Sequence, residues 1–215
     1  MKIEFWLDYL SPECYKQHQA LELLFKKYTF NDLELLYRSY ELIPNIDLEN
    51  NQTLEDVLMK HHIISYDEAK ALVNGYSDYI KPVKVHDVHR ISHLAKRSNV
   101  SFEFNQAIFK AYYQNFKDIS DPKVLIEIGT KVGLKKEQIE HVLASDMFHD
   151  AVLLNRENAT IKGIFDVPHI RIDGKIRLKG YHSDEQMIEA ISLASIKYQE
   201  TDFCEGEHCD RKKAI

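Results

Sequence analysis

The sequence predicts an α/β fold in which a βαβ unit and a ββα unit are separated by a large all-helical insertion. Three observations carry this prediction. Two short apolar runs flank a helical segment near the N-terminus, a long middle region lacks strand alternation, and an Asp-Gly pair joins two alternating segments further on. With 215 residues, 44% of them hydrophobic, the chain is long enough for one large domain or one domain with a substantial insertion.

The N-terminal unit begins with an apolar, aromatic run at Ile3–Leu7, which favours a buried strand. Ser11 and Pro12 follow as a favoured N-cap and a favoured first helical residue. Apolar residues then recur at helical spacing and predict about four turns of helix: Leu21, Leu24, Phe25 and Tyr28. Residues Leu33–Tyr40 read as a second strand, which completes a βαβ unit with a right-handed crossover.

The middle region predicts helices separated by Pro82, Asn99–Ser101, Asp118–Pro122 and Gly133. The predicted helices are Thr53–Lys60, Tyr66–Tyr79, Asp87–Lys96, Phe104–Phe116, Asp121–Val132 and Lys135–Ser145. No Gly/Ser-rich linker marks either edge of this region, so we expect it to pack on the sheet rather than form a free domain.

The pattern of a sheet returns after Gly163. Ile170–Ile172 and Ile176–Leu178 alternate on either side of Asp173-Gly174, a strong two-residue hairpin signal. A helix is predicted from Ser183 onward. The last dozen residues are polar and are expected to be loosely held.

Charge, hydrophobicity and cysteine content indicate which partners and which cellular compartment to expect. A net charge of −6 argues against a nucleic-acid-binding surface. No window approaches the roughly 18 apolar residues of a membrane span, and Met1–Trp6 lacks the features of a secretory signal. Three cysteines, at positions 14, 204 and 209, suit a reducing compartment. We therefore expect a cytoplasmic protein with neither nucleic-acid nor membrane partners.

The order of elements, together with several short motifs, resembles the DsbA-like thioredoxin superfamily, most closely its FrnE-type cytoplasmic branch. The motifs cover nearly the whole chain: Trp6–Tyr15, Phe109–Tyr113, Asp118–Pro122, Gly163–His169 and Ile172–Lys175. The resemblance implies a thioredoxin-like domain formed by residues 1–45 and 160–200, a helical insertion at 46–159, and a cysteine-bearing tail at 201–215. It also implies a thiol–disulfide oxidoreductase that acts on protein thiols or disulfides.

The family's Cys-Pro-x-Cys site corresponds here to Ser11-Pro12-Glu13-Cys14. By this resemblance Ser11 takes the place of the nucleophilic cysteine and Cys14 that of the resolving one. Pro168 takes the place of the family's cis-proline, with Val167 before it and His169 after it. A helix N-terminus stabilises a thiolate, so we expect Cys14 to be an accessible thiol there, and an imidazolium at His169 would favour the thiolate form.

The substitution at Ser11 leaves three functions open, because no disulfide can form within this motif. Cys14 could form a mixed disulfide with a substrate, and Cys204 and Cys209 could resolve it or relay oxidation. Alternatively Leu10-Ser11-Pro12 resembles the motif of kappa-class glutathione transferases and hydroxychromene carboxylate isomerases, in which a serine hydroxyl holds the glutathione sulfur. The third option is a non-catalytic peptide-binding module, or an ordinary helix start with Cys14 as a core residue.

Ligands other than glutathione are not expected from the remaining motifs. Cys204, His208 and Cys209 offer three groups that zinc accepts, but a structural site usually needs four, so no metal is predicted. His89 and His93 lie four residues apart without the glutamate of a metalloprotease motif, and with His86 they are expected to form an ordinary helix face. The predicted cofactor status is therefore none tightly bound, with glutathione as the candidate ligand.

Overall fold

The computed structural model describes residues 1–48, 52–61, 63–65, 67–68 and 80–195. Its four-stranded sheet has the order β2-β1-β3-β4, so the N-terminal strand lies inside the sheet. The strands are β1 (Lys2–Leu7), β2 (Glu34–Ser39), β3 (His169–Ile172) and β4 (Ile176–Lys179). β1 runs parallel to β2 and antiparallel to β3, and β3 is antiparallel to β4. This is the predicted βαβ unit followed by the predicted ββ unit.

Helix α1 (Pro12–Lys27) connects the two parallel strands and begins where its sequence predicts. The Ser11 side chain caps it, Pro12 is its first residue, and its last turn carries basic residues near the negative end of the helix dipole. The helix ends at Tyr28, whose extended backbone still donates to the Leu24 carbonyl at 2.9 Å. The loop from Asp8 to Ser11 therefore sits at the carboxyl end of β1, directly before the helix N-terminus.

Only helices occur between β2 and β3 among the described residues. They are α2 (Leu54–Lys60), α3 (His86–Arg97), α4 (Ser101–Tyr113), α5 (Pro122–Lys131), α6 (Lys136–Leu143) and α7 (His149–Ile161). The predicted helix Tyr66–Tyr79 lies largely outside the described residues. Helix α7 was not among the predicted helices, because its sequence is polar at most positions and buries only Val152, Asn155 and Ala159.

The hairpin and the last helix also match their predictions. Asp173 and Gly174 both have positive φ, 48° and 68°, the combination that a two-residue type I′ turn requires. Helix α8 (Asp184–Ser195) follows and packs beside α1. The Gln17 side chain fixes that packing, since it donates to the His182 carbonyl at 3.2 Å and accepts from the His182 N–H at 2.8 Å.

Aromatic side chains join the helical insertion to the end of the sheet where α1 begins. Tyr15 of α1 stacks on Tyr113 of α4 with ring centroids 4.9 Å apart. The Tyr9 hydroxyl donates to Asn105 Oδ1 at 2.7 Å, and the Tyr113 hydroxyl donates to the Tyr9 carbonyl at 3.1 Å. Because Tyr9, Asn105 and Tyr113 are all buried, these contacts fix the loop before Ser11 against the insertion.

Candidate functional site

An open cleft of about 610 Å³ lies at the N-terminus of α1. Its walls come from both parts of the fold: the start of α1, the loop after β2, helix α2 with three residues that follow it, the loop before β3, and the end of β4. The residues that line it are Ser11, Pro12, Glu13, Leu42, Leu58, Ile63, Ile64, Glu68, Asp166, Val167, Lys179 and Gly180. Three residues predicted from the sequence as site residues, Ser11, Pro12 and Val167, therefore meet in one cleft.

The Ser11 hydroxyl is held at the helix N-terminus, where it is 6% exposed and shares a hydrogen bond with the Cys14 thiol. Its Oγ accepts the Cys14 backbone N–H at 3.2 Å, and the Ser11 N–H donates to the Asp8 carbonyl at 3.3 Å. A hydroxyl has one hydrogen to give, so an anionic ligand atom would take that hydrogen in place of the Cys14 sulfur. The neighbouring N–H groups of the first turn and the helix dipole favour negative charge at this point. The arrangement suits an anionic atom placed against Ser11.

The expectation that Cys14 is an accessible thiol is wrong. Its exposed fraction is 0%, and it belongs to the hydrophobic core rather than to the cleft lining. Burial raises the pKa of the Cys14 thiol strongly, the nearby charges of Asp8 and Glu13 raise it further, and hydrogen bonding from Ser11 and the Asp8 backbone only partly offsets these effects. The helix dipole does not overcome desolvation here, so Cys14 remains a neutral thiol at physiological pH.

The loop before β3 contributes Val167 to the lining of the cleft. The Val167–Pro168 peptide bond is cis, as the resemblance predicts. The Pro168 carbonyl accepts the Gly180 N–H at 2.9 Å, which ties the loop to the end of β4. Within the described part of the chain the N–H and C=O of Val167 have no hydrogen-bond partner. A strand-like ligand could pair with them.

The structure corrects the role expected of His169. Its ring stands edge-on to Trp6, with centroids 6.3 Å apart, and it does not line the cleft. Burial lowers the pKa of His169, and the positive charges of Arg177, Arg171 and Lys179 lower it further. The side chain is therefore a neutral imidazole at physiological pH and not the imidazolium that would favour a thiolate.

Asp8 is a residue of the site that the sequence analysis did not identify. Its carboxylate accepts the Leu10 N–H at 2.8 Å and the Leu42 N–H at 2.5 Å, so it joins the loop before Ser11 to the loop after β2. Burial raises the pKa of Asp8 to about 7, although the two backbone donors lower it in part. A carboxylate directly after an apolar strand was the available sequence signal.

The histidines of α3 do not form the expected ordinary helix face. His89 is 1% exposed and lies 4.8 Å from the Tyr9 ring, while His93 Nε2 is 3.2 Å from the Ser39 hydroxyl. Glu41 Oε1 is 3.1 Å from His86 Nδ1, and His86 Nε2 continues to the His149 ring at 2.9 Å. These groups connect the loop after β2 to α3 and α7, and none of them lines the cleft.

Some predicted features cannot be placed. Cys204 and Cys209 lie outside the described residues. The described residues contain no cluster of three or more His, Cys, Asp or Glu side chains suited to a metal ion. None of the described helices combines the length and apolar character needed to cross a membrane.

Comparison with known proteins places the fold. The family model described as "DSBA-like thioredoxin domain" matches residues 2–192. The crystal structure of a probable DsbA oxidoreductase from Streptomyces coelicolor superposes with a TM-score of 0.78 at 21% identity and covers 97% of this chain and 96% of that one. A 2-hydroxychromene-2-carboxylate isomerase gives 0.64 at 17% identity, covering 90% of this chain and 94% of that one.

A third similar structure is the cytosolic disulfide reductase DsbM from Pseudomonas aeruginosa, with GSH. It gives a TM-score of 0.60 at 11% identity and covers 83% of this chain and 90% of that chain. At these identities the likeness concerns the fold. The family match, which spans nearly the whole chain, shows that the protein belongs to the DsbA-like thioredoxin domain family.

Proposed function

We propose that the cleft binds an external thiol and that Ser11 holds its sulfur as a thiolate. One observation at the start of α1 carries this proposal. Ser11 lines the cleft, whereas the Cys14 thiol is fully enclosed. The attacking sulfur must then come from the ligand. The two candidate sources are those predicted from the sequence, glutathione and a cysteine of a peptide or protein.

The chemistry needs only groups that the chain supplies. The ligand thiol loses its proton to solvent, and the thiolate accepts the Ser11 hydroxyl hydrogen at the N-terminus of the 16-residue helix α1. The unpaired backbone of Val167 holds the ligand's main chain in an extended form. A thiolate fixed in this way is a nucleophile toward an electrophile on a second substrate, the reaction class of glutathione-dependent transferases and isomerases.

Two structures of the same fold are compatible with a thiol ligand in the cleft. One is a disulfide reductase whose structure was determined with GSH, and another is a hydroxychromene carboxylate isomerase. The two-cysteine exchange of a DsbA- or FrnE-type oxidoreductase is not proposed for this motif, because Ser11 has no thiol and the Cys14 sulfur is enclosed. A reducing compartment such as the cytoplasm would keep the external thiol available.

Binding of matched thiol and hydroxyl ligands tests the proposal. Isothermal calorimetry measures the affinity of four ligands for the wild type and for Ser11→Ala. The ligands are glutathione, a neutral cysteinyl tripeptide, and the analogue of each in which serine replaces cysteine. A hydrogen bond to a charged group is worth about 1.5–3 kcal/mol, so the variant should lose on the order of 10- to 100-fold of the affinity for the thiols. The pKa of the bound thiol, followed by thiolate absorbance, should lie below that of the free thiol in the wild type alone.

Ser183→Ala is the matched control, because Ser183 caps α8 as Ser11 caps α1 and accepts the Gln186 N–H at 3.3 Å. Both substitutions remove a cap worth about 1 kcal/mol, but only one changes the cleft. Cys14→Ala should bind as the wild type does. Equal binding of thiols and serine analogues by the wild type, or thiol binding that depends on Cys14 and not on Ser11, would contradict the proposal.

A further inference from the structure

The charged residues that line the cleft are mostly acidic. Among the described lining residues, Glu13, Glu68 and Asp166 carry carboxylates and Lys179 carries the one ammonium group. Lys179 Nζ lies 2.8 Å from Asp166 Oδ2, so its charge is matched within the lining. The carboxylates of Glu13 and Glu68 have no cation opposite them in this lining. The described walls therefore have an excess of two negative charges.

The two unmatched carboxylates act on the position where a ligand must sit. Glu13 follows Pro12 in the first turn of α1, two residues from the Ser11 hydroxyl, and it is half-buried. Burial raises the pKa of Glu13, the charge of Lys16 lowers it, and the smaller effect of the Glu68 charge raises it, so the carboxylates of Glu13 and Glu68 repel each other. A cation placed between them would relieve that repulsion. An anion alone would increase it, so a ligand that brings a thiolate to Ser11 binds best when it also brings positive charge beside its sulfur.

A cation outside the lining also acts on Glu13. Lys16 faces Glu13 from the next turn of α1, where it lowers the pKa of that carboxyl, but it does not line the cleft. The charged groups that line the cleft itself therefore remain acidic in excess.

The walls also require apolar contact from the ligand. Five aliphatic side chains line the cleft and supply a surface for side chains rather than for carboxylates: Leu42, Leu58, Ile63, Ile64 and Val167. Reduced glutathione carries two carboxylates and one ammonium group, and it has no apolar side chain to place there. An extended peptide has both features, since it can pair with the Val167 backbone and alternate its side chains between the walls.

We infer, on the basis of the proposed function, that the thiol bound at Ser11 is a cysteine within a basic, partly apolar peptide segment of another protein. Glutathione and acidic cysteinyl peptides are weaker ligands of the same cleft. Negative charge at Glu13 and Glu68 sets this preference, and the aliphatic walls accept the residues beside the cysteine.

Three peptides of equal length test this inference. Each contains one cysteine next to a leucine, and this pair is flanked by lysines in the first peptide, by glutamines in the second and by glutamates in the third. Each is titrated against the full chain beside its serine analogue and beside glutathione. At low ionic strength the lysine peptide should bind at least about tenfold more tightly than the glutamate peptide, and the ratio should fall as salt is added. Glu13→Gln should lower the ratio by about two- to fivefold. Glu34→Gln, the same change beside Lys2 at the opposite end of β1, should not.

The outcomes separate the inference from the proposed function. Equal affinities for the three cysteinyl peptides, each exceeding that of its serine analogue, would overturn the charge preference and leave thiol binding at Ser11 intact. Preference for the lysine peptide with no advantage of cysteine over serine would support the charge preference and contradict the proposed function. Tighter binding of glutathione than of the lysine peptide, or no binding of any peptide, would overturn the inference.

Discussion

The buried carboxylate of Asp8 makes the stability of this protein depend on pH in a direction that can be calculated. Asp8 is 1% exposed, and burial raises its pKa from 3.8 to about 7. In Asp8→Asn the titration is lost. The amide oxygen can still accept one of the two N–H groups, from Leu10 or Leu42, so the variant also carries a constant penalty of about 1–3 kcal/mol.

The sign follows from the two pKa values. Between pH 3.8 and about 7 the folded protein keeps the Asp8 proton that the unfolded chain has lost. The stability due to this group is therefore fully present below pH 3.8 and is lost progressively as pH rises to about 7. From pH about 5.5 to about 8.5 the loss amounts to about 2 kcal/mol, since each unit between pH 5.5 and the folded pKa contributes about 1.4 kcal/mol.

Urea unfolding of both proteins at several pH values measures this effect. Buried histidines also titrate: burial lowers the pKa of His18 and His93 to about 4 and that of His89 to about 3, which removes stability as pH falls below 6.5. These groups are present in both proteins and cancel in the difference. Asp32→Asn, at an exposed position, is the control and should track the wild type. A difference curve between wild type and Asp8→Asn that is flat over this range would refute the reasoning.

Three further predictions concern enclosure and packing. Cys14 should resist thiol reagents in the native protein, reacting on the order of 1,000-fold more slowly than after unfolding in urea; rapid native modification, read by mass spectrometry, would contradict its burial. Gly129→Ala should lower the free energy of unfolding by about 1–3 kcal/mol, because the new Cβ would lie 2.5 Å from Ile139 Cδ1. In the double variant, Ile139→Val removes that Cδ1 atom and should recover part of the loss. Arg90→Met should cost about 3 kcal/mol, because the buried guanidinium donates to the Met147 carbonyl at 2.9 Å and to two other carbonyls; a loss below 1 kcal/mol would show that these bonds add little.

The elements that were predicted correctly are those whose signals are local. Ser11-Pro12 begins α1, and Asp173-Gly174 closes the hairpin with positive φ at both residues. Caps and tight turns depend on a few neighbouring residues, so the sequence specifies them directly. Helix α7 was missed because it buries only a small part of its surface and carries a weak apolar periodicity.

The candidate site was predicted in part for the same reason. Ser11, Pro12 and Val167 come together because strand, helix and cis-proline loop have a fixed order in this fold. The exposure of Cys14 could not be predicted in this way, since it depends on residues distant in the sequence. Tyr113 packs on Tyr15, one residue after Cys14, from a helix that begins about 85 positions later.

The sequence alone determined the order of the strands and of most helices, the start of α1 at Ser11, and the absence of a second thiol there. Tertiary structure decided which of Ser11 and Cys14 lines the cleft, that Asp8 joins two loops, and that the charged groups of the cleft lining are mostly acidic. The physical reason is that caps and turns are satisfied by neighbouring residues. The exposure of a side chain, and with it the pKa of a thiol or carboxylate, depends instead on the distant elements that exclude water from it.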